Sequence, residues 1–288
     1  MTCAGVELGG TKCVAILARN HDDVLARETI PTTAPDETLE RIERTLRGWT
    51  SEHEIEALGV GSFGPIDLDP ESRSWGHLLA TPKRGWAGTD VAGRLRDCLK
   101  VPTALDTDVN AAALAEMRWG SGQGLEDFAY VTVGTGVGVG LIANGRPMRG
   151  FGHCELGHVR VARLPGDDWP GSCPYHGDCV EGLASGSALK ARLGDREIAE
   201  GDAVWDSVVW TLAQLCHAIA CAAAPRRIAM GGGVIQRQPH LLGRIREKLE
   251  ESLGGFLALP AGEYICAPEL GGDAGPIGAI ALAMTAKA

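Results

Sequence analysis

Short apolar runs separated by glycine turns organise this chain. Val6 to Leu8 and Cys13 to Ala18 are two such runs around Gly9-Gly10-Thr11-Lys12, and the pattern predicts a pair of strands in a hairpin. Leu39, Ile42 and Leu46 then recur at helical spacing, with Trp49 continuing the stripe and Pro35-Asp36 supplying a helix start. Ala57 to Phe63 returns to strand, Thr103 to Leu105 predicts another, and Val109 to Trp119 is Ala-rich and helical. Tyr130 to Val133 and Val137 to Ala143 form a second strand pair around a second glycine turn. Residues 203–222 predict a long apolar helix, and Arg227 to Met230 a strand ending in Gly231-Gly232-Gly233. Gly271-Gly272-Asp273-Ala274-Gly275 precedes a final Ala-rich helix.

The strand–glycine turn–strand unit thus occurs twice, each time followed by alternating helices and strands. This repetition predicts two similar α/β lobes with a cleft between them. Residues 1–115, with 276–288 returning to them, are expected to form one lobe and 116–275 the other, with an inserted loop at 158–179.

Composition narrows the function classes. The chain has 288 residues, 44% hydrophobic and 22% charged, as in an ordinary globular protein. Its 40 glycines are about twice the average share, which implies tight turns or close approach of main chain to a ligand. A net charge of −10 speaks against nucleic acid or an acidic membrane as partner. No apolar run is expected to reach the roughly 20 residues that span a bilayer, and the start of the chain does not read as a signal peptide. Nine cysteines, with Cys13, Cys98, Cys216 and Cys221 standing singly among apolar neighbours, suit reduced thiols and a cytoplasmic location.

The glycine turns carry the first chemistry. An isolated Gly-Gly pair is usually only a hairpin turn. Here a second turn, Gly134-Thr135-Gly136-Val137-Gly138, repeats the feature, and two turns exposing backbone N–H groups and a hydroxyl suit a polyphosphate. Neither turn is a P-loop, and no G-x-G-x-x-G opens a helix after a strand. Gly231-Gly232-Gly233 would let a base or ribose lie against backbone. In Leu105-Asp106-Thr107-Asp108-Val109-Asn110, any of Asp106, Thr107 and Asp108 could cap the following helix. The alternative is that Asp108 acts as a general base on a sugar hydroxyl, with Asn110 orienting substrate.

Cys173-Pro174-Tyr175-His176-Gly177-Asp178-Cys179 places three metal ligands in one short loop, and His158 lies 15 residues before the first. A Cys₂His₂ set suits tetrahedral zinc. His153 and Cys154 spoil the spacing and stay outside the set.

Together these segments resemble the ROK family of sugar kinases and sugar-responsive repressors. The likeness covers essentially the whole chain, in the family's order: Glu7-Leu8-Gly9-Gly10-Thr11-Lys12, Gly61-Ser62-Phe63-Gly64-Pro65, the segment ending in Asp108, Gly134-Thr135-Gly136, Glu155-Leu156-Gly157-His158, the Cys/His loop and Gly231-Gly232-Gly233. The resemblance implies an α/β fold class with two ribonuclease-H-like lobes of the actin-like ATPase (sugar kinase) fold, ATP and sugar meeting in a central cleft. It matches Asp108 to the catalytic base, and Glu155, His158 and Glu181 to sugar-binding positions. Asn110, Gly64, Pro65 and Thr81 match further parts of the sugar pocket. Gly9, Gly10, Thr11 and Lys12 match the first phosphate loop, Thr135 and Gly136 the second, and Gly232 and Gly233 the nucleotide cleft. His158, Cys173, His176 and Cys179 match a structural zinc site.

Glu7 where many members have Asp, Thr107 where they have Asn, and a C-P-x-H-G-x-C zinc loop all resemble the fructokinase branch. So do Thr81-Pro82-Lys83 and the run from Cys179 to Gly186; Ser187 departs from that branch, which often has Pro there. The reaction so implied is ATP-dependent phosphorylation of D-fructose to fructose 6-phosphate, with Mg²⁺ accompanying ATP and mannose as a second acceptor. A glucokinase or N-acetylmannosamine kinase is the alternative, and the zinc-loop variant counts against it. A repressor is disfavoured, because the first glycine turn begins at residue 9 and leaves no room for a helix-turn-helix domain. A non-catalytic sugar-binding remnant is disfavoured by Asp108 together with both phosphate turns. A homodimer is implied only at the level of the family.

Overall fold

The structure is a computed structural model and describes residues 1–286; residues 287–288, the end of the expected terminal helix, lie outside the described residues. In chain order the elements are β1 (Cys3–Leu8), β2 (Lys12–Ala18), β3 (Val24–Pro31), α1 (Pro35–Trp49), β4 (Ala57–Ser62), α2 (Ala92–Leu99), β5 (Thr103–Thr107), α3 (Asp108–Trp119), β6 (Phe128–Val133), β7 (Val137–Ala143), β8 (Arg146–Pro147), α4 (Val180–Ala184), α5 (Gly186–Leu193), α6 (Val204–Ala223), β9 (Arg227–Gly231), α7 (Gly233–Arg237), α8 (Leu241–Leu253), β10 (Ile265–Cys266) and α9 (Ala274–Ala283).

Two compact units result. Unit 1 takes Met1–Gln123, Met148–His153 and the chain from Asp273 onward; unit 2 takes Gly124–Pro147 and Cys154–Gly272. The sequence expectation divides the lobes at 115/116 and gives unit 1 no share of residues 148–153.

Each unit is built on a mixed five-stranded sheet. The orders are β3-β2-β1-β4-β5 and, read from its other edge, β8-β7-β6-β9-β10. In both, the first two pairings are antiparallel and the last two parallel. The topological repeat read from the sequence is therefore complete, strand for strand.

The core of unit 1 joins sheet residues such as Val6, Leu17 and Val60 to Leu39, Ile42 and Leu46 of α1. Helix α9 is apolar on every side, from Ala274 to Ala283, because it is covered by β1, β4 and α3. Its approach is main chain to main chain. A Cβ at Gly59 would stand 1.9 Å from the Ala279 carbonyl oxygen, and one at Gly278 would stand 2.4 Å from the carbonyl carbon of Ala111.

Unit 2 centres on α6, whose Val208, Leu212, Leu215 and Ile219 pack with Val131, Val139 and Met230 of the sheet and with Ile245 and Leu249 of α8. At 20 residues, α6 is the one described helix long and apolar enough to cross a membrane. The expectation that no apolar run reaches that length is corrected here. The length arises because α6 buries its side chains against both the sheet and α8.

Replacing Gly59 with Ala is expected to cost at least the roughly 1–3 kcal/mol of an overpacked core, because the obstructing atoms are backbone. Gly48→Ala, in exposed α1 with open space around it, should instead stabilise by up to about 1 kcal/mol. Urea unfolding of the two variants checks both signs; a tolerated Gly59→Ala would show that α9 can withdraw from the sheet.

Candidate active site and metal cluster

Strand register gathers the candidate residues of unit 1. Leu8 pairs with Ser62, and Ser62 with Thr107, in parallel ladders. The first glycine turn, the Gly64-Pro65 turn and Asp108 therefore all leave the same edge of the sheet, at the carboxyl ends of β1, β4 and β5. That edge is where open α/β sheets bind ligands.

The first glycine turn is braced from behind. Gly9 N–H donates to the Lys12 carbonyl at 3.1 Å, and the Thr32 hydroxyl donates to the Gly9 carbonyl at 2.8 Å. Lys83 Nζ donates to the Gly10 carbonyl at 2.5 Å, which brings the Thr81-Pro82-Lys83 segment onto the turn. Gly10, Thr11 and Lys12 remain exposed, which leaves the turn accessible to an anion. Gly64-Pro65 is a cis peptide, and the next N–H, of Ile66, donates to His153 Nε2 at 3.1 Å.

Thr107, and not Asp108, caps α3: its hydroxyl accepts the Asn110 N–H at 3.1 Å. Asp108 is the first helical residue, with Oδ1 accepting the adjacent Val109 N–H at 2.9 Å. Burial pushes its carboxyl up to about 6, against the lowering effect of the backbone N–H groups of Val109 and of Asp108 itself. Burial also raises Glu7 to about 7, with the charge of Asp108 adding to it. Glu7 lies against the start of α9, where a Cβ at Gly275 would stand 2.0 Å from its carboxylate.

Unit 2 repeats the arrangement. Thr132 pairs with Gly231 in parallel, so the Gly134-Thr135-Gly136 turn and Gly232-Gly233 leave the same end of that sheet. Gly134 N–H donates to the Gly136 carbonyl at 2.9 Å, and the Gly186 N–H donates to the Gly134 carbonyl at 2.7 Å. Gly232 adopts a φ of 86° and packs on Val133, where a Cβ would come within 2.6 Å of backbone. Glu181 Oε2 accepts the Val137 N–H at 3.1 Å, which fastens the carboxylate to the second turn. Glu155 is exposed, one residue before the short 3₁₀ turn Leu156–His158.

The four expected metal ligands are brought together. One ligand atom from each of His158, Cys173, His176 and Cys179 lies within 4.8 Å of every other. His158 Nδ1 stands 3.7 Å from Cys173 Sγ and 3.6 Å from Cys179 Sγ, and His176 Nδ1 is 3.6 Å from Cys173 Sγ. Zinc bonds of about 2.0–2.3 Å imply tetrahedral edges of roughly 3.3–3.8 Å, so the donor set fits zinc in type and in spacing. The loop is shaped for it: Cys173 and Gly177 exchange backbone hydrogen bonds at 3.1 and 2.9 Å, and Cys179 caps α4 with its sulfur 3.4 Å from the Gly182 N–H. His158 turns its other nitrogen toward Glu181, with Nε2 4.0 Å from Oε1.

Several pairings escape sequence reasoning. Thr32 and Lys83 brace the first turn, and His153 binds the peptide after Pro65 although spacing sets it aside from the metal ligands. Arg149 pairs with buried Asp106. Their sequence separations carry no period, so no local pattern could reveal these pairings.

Comparison with known proteins follows the same lines. The profile of the ROK family matches residues 3–286. A fructokinase of Zymomonas mobilis is 39% identical over 98% of this chain and 96% of its own length. A fructokinase of Pediococcus pentosaceus is 38% identical over 99% of both. Among solved structures, a ROK family glucokinase of Streptomyces griseus, in complex with glucose and AMPPNP, superposes with a TM-score of 0.79 at 26% identity, covering 99% of this chain and 100% of that one.

Metal analysis of the purified protein should find about one zinc per chain, from the single Cys₂His₂ cluster among the described residues. Cys179→Ser, or treatment with a strong chelator, should remove the zinc and lower the melting temperature, because little apolar content orders the loop otherwise. A preparation free of zinc with an unchanged melting temperature would show that the four residues do not form a site.

Proposed function

This chain belongs to the ROK family, and we propose that within it the protein is an ATP-dependent fructokinase, forming fructose 6-phosphate from D-fructose. One observation carries the substrate: two fructokinases match almost end to end at 38–39% identity, whereas the glucokinase with a bound sugar stands at 26%.

Asp108 is the base that takes the proton of the attacking hydroxyl. Its freedom from capping and its raised carboxyl both suit that task, since a base works best when its pKa lies near the operating pH. The N–H groups of Gly9 to Lys12 and of Thr135 and Gly136 hold the phosphates, with Gly232 and Gly233 against the rest of the nucleotide. Glu155, His158 and Glu181 orient the sugar, with Gly64, Pro65, Thr81 and Asn110 completing its surroundings. Mg²⁺, bound with ATP, supplies charge neutralisation at the phosphates; Glu7, held close enough to Asp108 to feel its charge, is the carboxylate suited to face it. Zinc at His158, Cys173, His176 and Cys179 is structural, since four protein ligands leave no open position. Its role is to fix the His158 ring.

Asp108→Asn is expected to lower kcat by at least about 100-fold while the protein stays folded, because Asn keeps the shape and cannot take the proton. In the wild type, kcat/KM should fall as pH drops below about 6, where the carboxyl of Asp108 becomes protonated. A variant retaining more than a tenth of the rate would place the base elsewhere.

With ATP and Mg²⁺ saturating, kcat/KM for D-fructose should exceed that for D-glucose by at least about tenfold, or about 1.4 kcal/mol of differential binding in the transition state. A coupled assay for ADP release across fructose, mannose, glucose and N-acetylmannosamine decides it. Equal turnover of glucose would move the chain to the glucokinase reading.

A further inference from the structure

Asp106 is the most deeply buried carboxylate beside the proposed base, with 1% of its surface exposed. A buried carboxylate is retained at a cost unless each oxygen is met by donors. Here Oδ1 accepts the Thr107 N–H at 2.8 Å and the Asn110 Nδ2 amide at 2.7 Å, and Oδ2 accepts from Arg149 Nη2. It does not cap the helix, because Thr107 does so.

We propose that Asp106 is a positioning residue for the acceptor side of the reaction, fixing Thr107 and Asn110 on either side of Asp108 and held in place by Arg149. This rests on the kinase reading above. As the anionic partner of Arg149, Asp106 can only accept hydrogen bonds. It therefore selects which end of the Asn110 carboxamide faces it, namely the NH₂ group. The carboxamide oxygen is turned the other way, where it serves as a fixed acceptor for a sugar hydroxyl. The same carboxylate oxygen holds the backbone at Thr107, so Thr107 and Asn110 share one anchor.

Arg149 is itself fixed. Its segment, Met148–His153, closes through a bridge between Arg149 and His153 and a 3.0 Å bond from Gly150 N–H to the Gly152 carbonyl. At the segment's other end His153 accepts the N–H of Ile66, directly after Gly64-Pro65. One short excursion of chain thus ties the Gly64-Pro65 turn to the segment that carries Asp108 and Asn110.

The test is steady-state kinetics and thermal melting of Asp106→Asn, Asn110→Ala, their double variant, and Asp106→Asn/Arg149→Met. Asp106→Asn should raise KM for fructose about tenfold and leave KM for ATP within about twofold. In the Asn110→Ala background the same change should add less than about twofold, because the two residues act as a unit. Asp106→Asn alone strips Arg149 of its counter-ion and should lower the melting temperature. Removing both charges with Arg149→Met should recover much of that loss, as whole-pair replacement generally does, while KM for fructose stays high. If Asp106→Asn alone does not fold, the paired variant carries the same comparison. Recovery of KM together with the melting temperature, or full additivity with Asn110→Ala, would overturn the proposal. A wild type that phosphorylates another hexose and not fructose sinks the substrate reading alone, and the variants are then scored with that hexose. A wild type that phosphorylates no hexose overturns both.

Discussion

The parallel ladder joining β1, β4 and β5 governs what unit 1 can do. It sets Leu8, Ser62 and Thr107 side by side, so that three turns of different chemistry emerge from one edge. Because successive side chains in a strand point to opposite faces, a slip of one residue would exchange Asp106 with its neighbours between the two faces of the sheet. The ladder is held flat against α9 by the missing Cβ of Gly59, and α9 in turn brings Gly275 against Glu7. Backbone packing far from the turns thereby fixes where the acidic groups stand. Unit 2 applies the same rule to different residues, with Thr132 beside Gly231 placing its two glycine turns together.

Within that frame, neighbouring polar groups divide tasks that the sequence leaves ambiguous. Thr107 takes the cap, and burial raises the carboxyl of Asp108 although its own backbone N–H and that of Val109 pull it down. Asp106 takes the ion pair. His158 splits its ring, Nδ1 toward the sulfurs and Nε2 toward Glu181. Such a division agrees with the general habit of metal-bound histidines to face a carboxylate with the free nitrogen, which fixes the ring's tautomer.

Much of this was legible in the sequence, for identifiable reasons. Apolar alternation and glycine turns revealed both hairpins, and the Cys/His spacing singled out the four side chains that the fold gathers into one cluster, because three of them share one tight loop. The edge strand β3 stayed hidden because Val24–Pro31 is largely exposed, with only Ile30 buried and Arg27-Glu28-Thr29 interrupting any apolar alternation. Helix α8 escaped too, although Leu241, Ile245, Leu249 and Leu253 repeat every four residues and give the clue. The pairs Lys83 with Gly10, Arg149 with Asp106 and His153 with Ile66 are long-range and local pattern is silent about them. Their partners are set by strand order, which no window of sequence contains. In the acidic segment, three candidates for one cap could be separated only by seeing which hydroxyl or carboxylate met the Asn110 backbone N–H.

The path of the chain has a consequence for how such a protein can be divided. Unit 1 is assembled from three separate stretches, and the polypeptide passes between the units at 123/124, 147/148, 153/154 and 272/273. A gene truncated after residue 123 would encode a sheet without the helix that seals it, leaving Gly5 and Gly59 facing water across an uncovered apolar surface. Unit 1 is therefore not a portable module that recombination could lift out and fuse elsewhere. Fragments would be expected to regain structure only by complementation, with a peptide spanning α9 supplied alongside.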